Sequence, residues 1–175
     1  MSAISISILR RDHINFSVLL NALERQIEAA ESRRPFSVPL FKAAIRYFRD
    51  YPRRVHHPKE DLIYGALVRH HRHDTRNVFH VLEDHREMEA NLTAMGAKLR
   101  EIDVKDIGQI DSFCEAAKEF IKAERNHMEL EEGHLYPMAV HLISPEEWME
   151  IDTQFENEND ATFEGAEVPP LSGLV

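Results

Sequence analysis

Apolar residues recur every three or four positions along most of the chain, the spacing that places them on one face of an α-helix. The clearest stripe is formed by Leu9, Phe16, Leu20, Leu23 and Ile27. Such stripes predict four long helices, at about 8–30, 38–69, 75–102 and 107–142. Pro52 and Pro58 are expected to kink or break the second helix, and Pro137 to bend the fourth or end it earlier, because proline removes a backbone hydrogen bond.

The segment Ser144-Pro145-Glu146-Glu147 has the features of a helix start. It offers a capping serine, a proline at the first helical position and a glutamate that can complete a capping box. We therefore expect a short fifth helix to about Glu156, in which Trp148 and Ile151 pack on the other helices. From Asn157 onward the chain is acidic and has no periodicity, which is typical of a disordered tail.

Long amphipathic helices joined by short turns favour an all-α fold, an up-down-up-down four-helix bundle with a short C-terminal fifth helix and a flexible acidic tail. The length of 175 residues suits a single domain with its own core. We expect this domain to cover residues 1–157 and the tail to cover residues 158–175.

Histidines and glutamates interrupt each apolar stripe, namely His13, His56, Glu60, His85, His127 and Glu131. The second and fourth helices both carry the pattern His-x-x-x-Glu, whose two side chains stand one turn apart on one helix face. In an antiparallel bundle, a rise of about 1.5 Å per residue puts all six residues in one layer of the core.

Two carboxylates and four imidazoles in one core layer are costly unless something compensates them, because an unpaired buried charge costs several kcal/mol. Divalent or trivalent metal ions compensate best. The donor set of four histidines and two glutamates suits iron, manganese or zinc rather than calcium or copper(I). If both glutamates bridge, the layer holds two metals, each of which keeps open positions for a small ligand.

Some neighbouring residues leave alternatives open. His57 and Asp61 are also four apart, and they would be the ligating pair if the second helix were turned by about 100°. Glu124 and His134 fall on the stripe of the fourth helix, where they act as partners of the ligands or as access gates, or else lie at the surface. Tyr64 is expected in the core, with a hydrogen bond to a bound ligand as the alternative.

The composition excludes several other functions. A net charge of −10 argues against a nucleic-acid partner, because phosphates require a basic face. With no run of about 18 apolar residues and no secretory signal, we expect no membrane association and a cytoplasmic location. The single cysteine, Cys114, excludes an internal disulfide and thiolate metal sites.

The ordered elements Asp12-His13, His56-x-x-x-Glu60-Asp61, Asp84-His85 and His127-x-x-x-Glu131-Glu132 resemble the HHE cation-binding family of hemerythrin-like proteins. The resemblance covers about residues 8–142 and includes the segment Leu135-Tyr136-Pro137. It implies a four-helix bundle that holds a non-haem di-iron centre, bridged by the two glutamates and usually by an oxo or hydroxo group.

One feature departs from the family pattern. Oxygen-carrying hemerythrins place two histidines one turn apart on the third helix, whereas the positions one turn from His85 are Val81 and Glu89. With one imidazole fewer, the chain is closer to the bacterial iron-cluster repair proteins and to the iron-sensing hemerythrin domain of a ubiquitin ligase subunit.

We therefore expect a di-iron protein that binds or senses oxygen, nitric oxide or peroxide, or that handles iron. No catalytic acid, base or nucleophile can be named, so binding is favoured over catalysis. Two alternatives remain: a di-iron oxidoreductase or iron–sulfur cluster repair factor, and a structural metal-binding interaction module. The sequence predicts neither the protein partner nor the oligomeric state.

Overall fold

The computed structural model describes residues 4–70 and 76–162, and within these ranges the chain is helical with no β-strand. Its helices are α1 (Ile4–Glu31), α2 (Val38–Tyr51), α3 (His57–His70), α4 (Arg76–Glu101), α5 (Ile107–Leu130), α6 (Tyr136–Leu142) and α7 (Pro145–Thr162). The last helix continues past its predicted end at about Glu156. The part of the predicted tail after Thr162 lies outside the described residues.

Capping residues set the starts of several helices. The Ser37 side chain accepts a hydrogen bond from the backbone N–H of Leu40 at the start of α2. Asp106 does the same for Gln109 at the start of α5. Ser144 and Glu147 bond each other's backbone N–H, at 3.3 Å in both directions, which confirms the predicted capping box of α7.

Two π turns connect helices without a break, and each lies next to a proline. The turn Pro52–His56 joins α2 to α3, and the turn Glu131–Leu135 joins α5 to α6. In both, the second residue after the turn is a proline, Pro58 or Pro137. Because a proline has no N–H and its ring crowds the carbonyl four residues earlier, a wider turn relieves the clash. The expected kink is therefore a π turn within continuous helix.

The long helices pack around a shared core: α5 lies against α1 and α4, and α4 lies against α2. These pairings fit a helical bundle, and the up-down-up-down order stays a prediction. The buried apolar residues form two clusters. One is built around Phe16, Phe41 and Phe120, and the other around Leu9, Ile63 and Leu135. A layer of buried polar side chains lies between them along the helices.

Helix α7 covers one end of the molecule. It contacts α1 and α3, with Ile151 and Phe155 buried in the second apolar cluster and Trp148 packed against it. The predicted packing of Trp148 and Ile151 is therefore confirmed. The Asp152 carboxylate accepts a hydrogen bond of 3.0 Å from the backbone N–H of Ser5, which satisfies a free donor at the start of α1.

None of the helices in the described ranges is both long and apolar enough to cross a membrane.

Candidate metal centre

Four histidine side chains meet in the polar layer as two pairs. The Nε2 atoms of His13 on α1 and His56 at the end of the first π turn are 3.1 Å apart. The Nε2 atoms of His85 on α4 and His127 on α5 are 3.2 Å apart. His13, His56 and His127 are buried, and 15% of the His85 side chain is exposed. Each pair thus aims two ring nitrogens at one point.

Both glutamates of the His-x-x-x-Glu patterns lie between the two pairs. Glu131 has Oε2 at 3.3 Å from His13 Nε2 and Oε1 at 3.3 Å from His127 Nε2. Glu60 has Oε1 at 3.1 Å from His56 Nε2 and Oε2 at 3.9 Å from His85 Nε2. Both are completely buried. Each carboxylate therefore presents one oxygen to one histidine pair and the other oxygen to the second pair, the arrangement of a bridging ligand.

A seventh side chain, His57, joins the layer. One group of possible ligand atoms comes from His13, His56, Glu60 and Glu131, and a second from His57, Glu60, His85 and His127; within each group the atoms lie within 4.8 Å of one another. The His57 ring stacks on the His85 ring, with centroids 3.7 Å apart and planes at 14°.

The sequence leaves the place of His57 open and offers it, paired with Asp61, as an alternative to His56. The structure brings His57 and His56 to the centre together, from neighbouring positions at the end of the π turn and the start of α3, while Asp61 is exposed. Val81 is buried in apolar core and Glu89 is exposed, so His85 is the one histidine that the described part of α4 brings to the layer. The fifth imidazole comes from α3 instead.

Carboxylates lie within hydrogen-bond distance of the outer nitrogens of two histidines, and a third carboxylate lies farther from the outer nitrogen of His127. Asp12 Oδ2 lies 3.2 Å from His56 Nδ1, and Glu132 Oε1 lies 3.1 Å from His13 Nδ1. Asp84 Oδ2 is farther from His127 Nδ1, at 3.8 Å. An acceptor at Nδ1 fixes the tautomer that leaves Nε2 free to bind a cation.

These three acids belong to the motif elements that resemble the family, but the sequence alone indicates no role for them. Asp12 precedes His13, Asp84 precedes His85, and Glu132 follows Glu131. In the structure Asp12 and Glu132 each face a histidine of another element, whereas Asp84 lies 3.2 Å from His80 of its own helix and 3.8 Å from His127 on α5.

Tyrosine hydroxyls donate to the carboxylates. Tyr136 donates to Glu60 Oε1 at 2.7 Å, Tyr64 donates to Glu131 Oε1, and Tyr51 donates to Asp12 Oδ1 at 3.0 Å. Tyr64 and Tyr136 are almost completely buried, and burial raises the pKa of both hydroxyls well above the ordinary value. They therefore stay protonated donors. Tyr64 lies in the core, as expected, and its partner is a glutamate.

The histidines of the layer differ in pKa: in some the pKa is raised above the ordinary value, and in others it is lowered. Burial lowers the pKa of His56, but Glu60 and Asp12 outweigh it and raise the value to about 10. In the same way, Glu131 and Asp84 outweigh burial and raise the pKa of His127 to about 9.

Burial and neighbouring histidines lower the pKa of His57 to about 2 and that of His85 to about 4. The His57 and His85 rings are therefore neutral at pH 7, each with a free lone pair for a cation. Burial lowers the pKa of His13 as well, but Glu131 and Glu132 outweigh it and raise the value. His13, His56 and His127 are therefore the rings that a cation must first deprotonate.

Three buried atoms lack a hydrogen-bond partner among the described residues: Glu60 Oε2, Glu131 Oε2 and His127 Nδ1. Buried polar atoms in native proteins are nearly always satisfied, and an unsatisfied carboxylate oxygen is among the most costly exceptions. Both carboxylate oxygens point toward converging imidazole nitrogens. The residues in the layer therefore suit a cation that prefers nitrogen and oxygen ligands.

A family model described as the hemerythrin HHE cation binding domain matches residues 5–139. The chain belongs to this hemerythrin family. It is therefore a cation-binding domain by family, and the match spans α1 through most of α6. Comparison with curated proteins and with solved structures finds no match.

A cleft connects the hemerythrin centre with the surface. It has a volume of about 260 Å³, lies between α2 and α4, and is lined near the centre by His57, His85 and Glu124. Glu124 is 6% exposed, and burial raises its pKa to about 7. Of the two positions left open on the fourth predicted helix, Glu124 lines this cleft, whereas His134 is exposed.

Proposed function

We propose that the chain binds two metal ions in the polar layer. His13 and His56 bind one ion, His57, His85 and His127 bind the other, and Glu60 and Glu131 bridge them. The observation that carries this proposal is the placement of the two glutamates. In each, one carboxylate oxygen lies near a histidine of one pair and the other oxygen lies near a histidine of the second pair, with oxygen-to-Nε2 distances of 3.1 to 3.9 Å. A single-metal site would not need both carboxylates to face both pairs.

Iron is the metal that we propose, with manganese or zinc as the alternatives. Five imidazoles and two carboxylates form a donor set of intermediate hardness, which suits these three ions. The neutral rings of His57 and His85 and the acids behind His13 and His56 favour tight binding. When bound, iron supplies reversible electron exchange and open coordination positions for a small ligand.

The small ligand that we propose is oxygen, nitric oxide or peroxide, which the protein binds or senses in a cytoplasmic setting. The cleft supports this proposal, because it ends at His57 and His85 on the side of the centre that is least buried. The buried Tyr64 and Tyr136 hydroxyls and the apolar clusters above and below shield the rest of the layer from water.

Metal analysis of the purified protein, together with its absorption spectrum, tests the centre. We expect two iron ions per chain. Glu131→Ala should lower the bound metal below half occupancy, because it removes the carboxylate shared by both histidine pairs. Glu129→Ala is the matched control, since Glu129 lies two residues away on the exposed face of α5. Equal iron content in the two variants would contradict the bridging role.

Catalysis by a di-iron oxidoreductase is a second candidate, favoured by the size of the cleft. A volume of about 260 Å³ has room for roughly nine water-sized groups, far more than a diatomic gas needs. Mixing the reduced protein anaerobically with each small oxidant separates the two functions. Spectral changes that reverse on degassing support binding, and repeated turnover with product formation supports an enzyme. One or no metal ion per chain would instead favour a structural module.

A further inference from the structure

The cleft beside the candidate centre is long, and the structure fixes both of its ends. At one end the His57 and His85 rings stack, with centroids 3.7 Å apart. At the other end a Cβ added at Gly96 would lie 3.7 Å from the Ile45 side chain. Gly96 follows His85 by eleven residues of α4, which is about 16 Å of helix. The cleft therefore extends along α4 from an inner end at the two histidines.

A buried carboxyl group lies at this inner end. Glu124 lines the cleft together with His57 and His85, and it lies three residues before His127 on α5. It is almost completely buried, yet it forms no hydrogen bond and no ion pair with the other described residues. It also belongs to neither group of converging ligand atoms. Because buried polar groups are nearly always satisfied, its oxygens are suited to a molecule in the cleft.

The walls between the two ends are apolar. Phe48, Met88 and Leu92 are buried and Ile45 is partly buried, and all four line the cleft. Each methylene that moves from water to such walls raises the affinity of a ligand by about fourfold. The cleft volume of about 260 Å³ holds roughly nine groups of the size of water. A hydrocarbon chain of about six carbons with a small polar head fits this space.

Glu124 and the walls together favour one of the small ligands proposed above. A carboxyl group keeps an oxygen that accepts a hydrogen bond in either protonation state, so the inner end favours a ligand that carries a proton. Oxygen and nitric oxide carry none, whereas the O–O–H group of a peroxide does. If the second oxygen of the peroxide bears a hydrocarbon chain, that chain has the apolar walls to pack against.

We propose that the cleft binds a neutral organic hydroperoxide, whose O–O–H group donates a hydrogen bond to Glu124 and whose hydrocarbon chain packs against Met88 and Leu92. The presence of metal ions beside the O–O–H group rests on the proposed function, whereas binding in the cleft does not. The chain makes this ligand class distinct from hydrogen peroxide, which leaves the walls uncovered.

Titration of metal-free and zinc-loaded protein, followed by protein NMR, tests the proposal, because zinc has no redox chemistry and leaves a peroxide intact. Hexyl hydroperoxide should bind at least tenfold more tightly than hydrogen peroxide, which has no chain. It should bind about fivefold more tightly than hexyl methyl peroxide, which has no proton to donate.

Heptanoate carries a carboxylate in place of the O–O–H group, so it tests whether an anion is preferred. It should bind more weakly than hexyl hydroperoxide, because its charge would lie beside Glu124. The arginines on the exposed side of the cleft would produce the opposite order if they held the head group; they are Arg49, Arg53, Arg86 and Arg100. Heptanoate or hexyl methyl peroxide binding as tightly as hexyl hydroperoxide would overturn the proposal.

Glu124→Leu should abolish the fivefold preference for hexyl hydroperoxide over hexyl methyl peroxide. Glu124→Gln should keep most of it, because the amide oxygen still accepts a hydrogen bond. Glu119→Leu is the matched control, since Glu119 is an exposed residue of the same helix, and it should bind all probes as the parent does. An unchanged preference in Glu124→Leu would overturn the role of Glu124.

Gly96→Leu tests the other end of the cleft, because its Cβ has room beside Ile45 and the rest of its side chain narrows the space. It should weaken hexyl hydroperoxide binding by at least fivefold and leave hydrogen peroxide binding unchanged. Equal affinity of this variant and the parent for hexyl hydroperoxide would show that the chain does not lie in the cleft. Metal analysis of each loaded sample tests the metal centre separately, so failure of the centre and failure of the cleft are distinguishable.

Discussion

Asp12 offers the sharpest test of how the centre is supported, because it bonds a candidate ligand without facing the metals itself. One of its oxygens lies 3.2 Å from His56 Nδ1, and the other accepts from the Tyr51 hydroxyl at 3.0 Å. The carboxylate holds the His56 ring with Nε2 inward and makes that nitrogen more basic. Asp12→Asn keeps a neutral acceptor and loses the charge, whereas Asp12→Leu loses the acceptor as well.

Loss of such a partner behind a metal-bound histidine lowers metal affinity by about 10- to 100-fold, or about 1.4 to 2.8 kcal/mol. We expect Asp12→Asn near the lower value and Asp12→Leu near the upper. Competition titration with a chromophoric chelator measures both. Asp61→Leu is the control, since Asp61 is an exposed acid on α3. If Asp12→Leu binds metal as tightly as Asp61→Leu does, the assigned role of Asp12 is wrong.

Three further predictions follow from the site. In metal-free protein the raised pKa values of His56 and His127, about 10 and about 9, add stability that is complete below about pH 6.5 and lost as the pH rises through those values. Metal needs deprotonated rings, so the Tm difference between loaded and metal-free protein should grow from pH 6.5 to 9.5; a constant difference would contradict this. Tyr136→Phe removes the 2.7 Å bond to Glu60 and should destabilise metal-free protein by about 1.5 to 3 kcal/mol in urea unfolding, and an unchanged midpoint would refute it. His57→Phe keeps the ring stack with His85 but removes one of the three imidazoles proposed for the second ion, so it should weaken binding of that ion by about 10-fold or more in chelator competition. An unchanged dissociation constant would show that His57 is not a ligand.

The convergence of the six residues could be predicted from the sequence because it depends on helical periodicity alone. Residues four apart share a helix face, so His56 with Glu60 and His127 with Glu131 meet the core whenever their stripes do. The depth of each residue along its helix follows from a constant rise per residue. Neither prediction depends on the exact rotation of each helix about its own axis.

His57 and the supporting acids could not be predicted in this way. Adjacent residues on a helix point about 100° apart, so whether His57 reaches the centre beside His56 depends on local winding. The π turn before Pro58 changes that winding. The spacing of apolar residues along the sequence does not reveal this change. Asp12 faces a histidine of another element, which requires the helix rotation that the sequence leaves open.

The polar layer also links metal binding to folding. It divides the apolar core into two clusters, and at its centre one oxygen of each glutamate, Glu60 Oε2 and Glu131 Oε2, has no hydrogen-bond partner among the described residues. A bundle built this way is less stable without cations than one with a continuous apolar core. A ligand that binds only the native state adds about 4 kcal/mol at a concentration 1,000 times its dissociation constant, which is a large part of the stability of an ordinary domain. If the layer binds the proposed ions, metal supply would therefore control the fraction of folded protein as well as the chemistry of the centre, because the side chains that would bind the ions are the ones that interrupt the core.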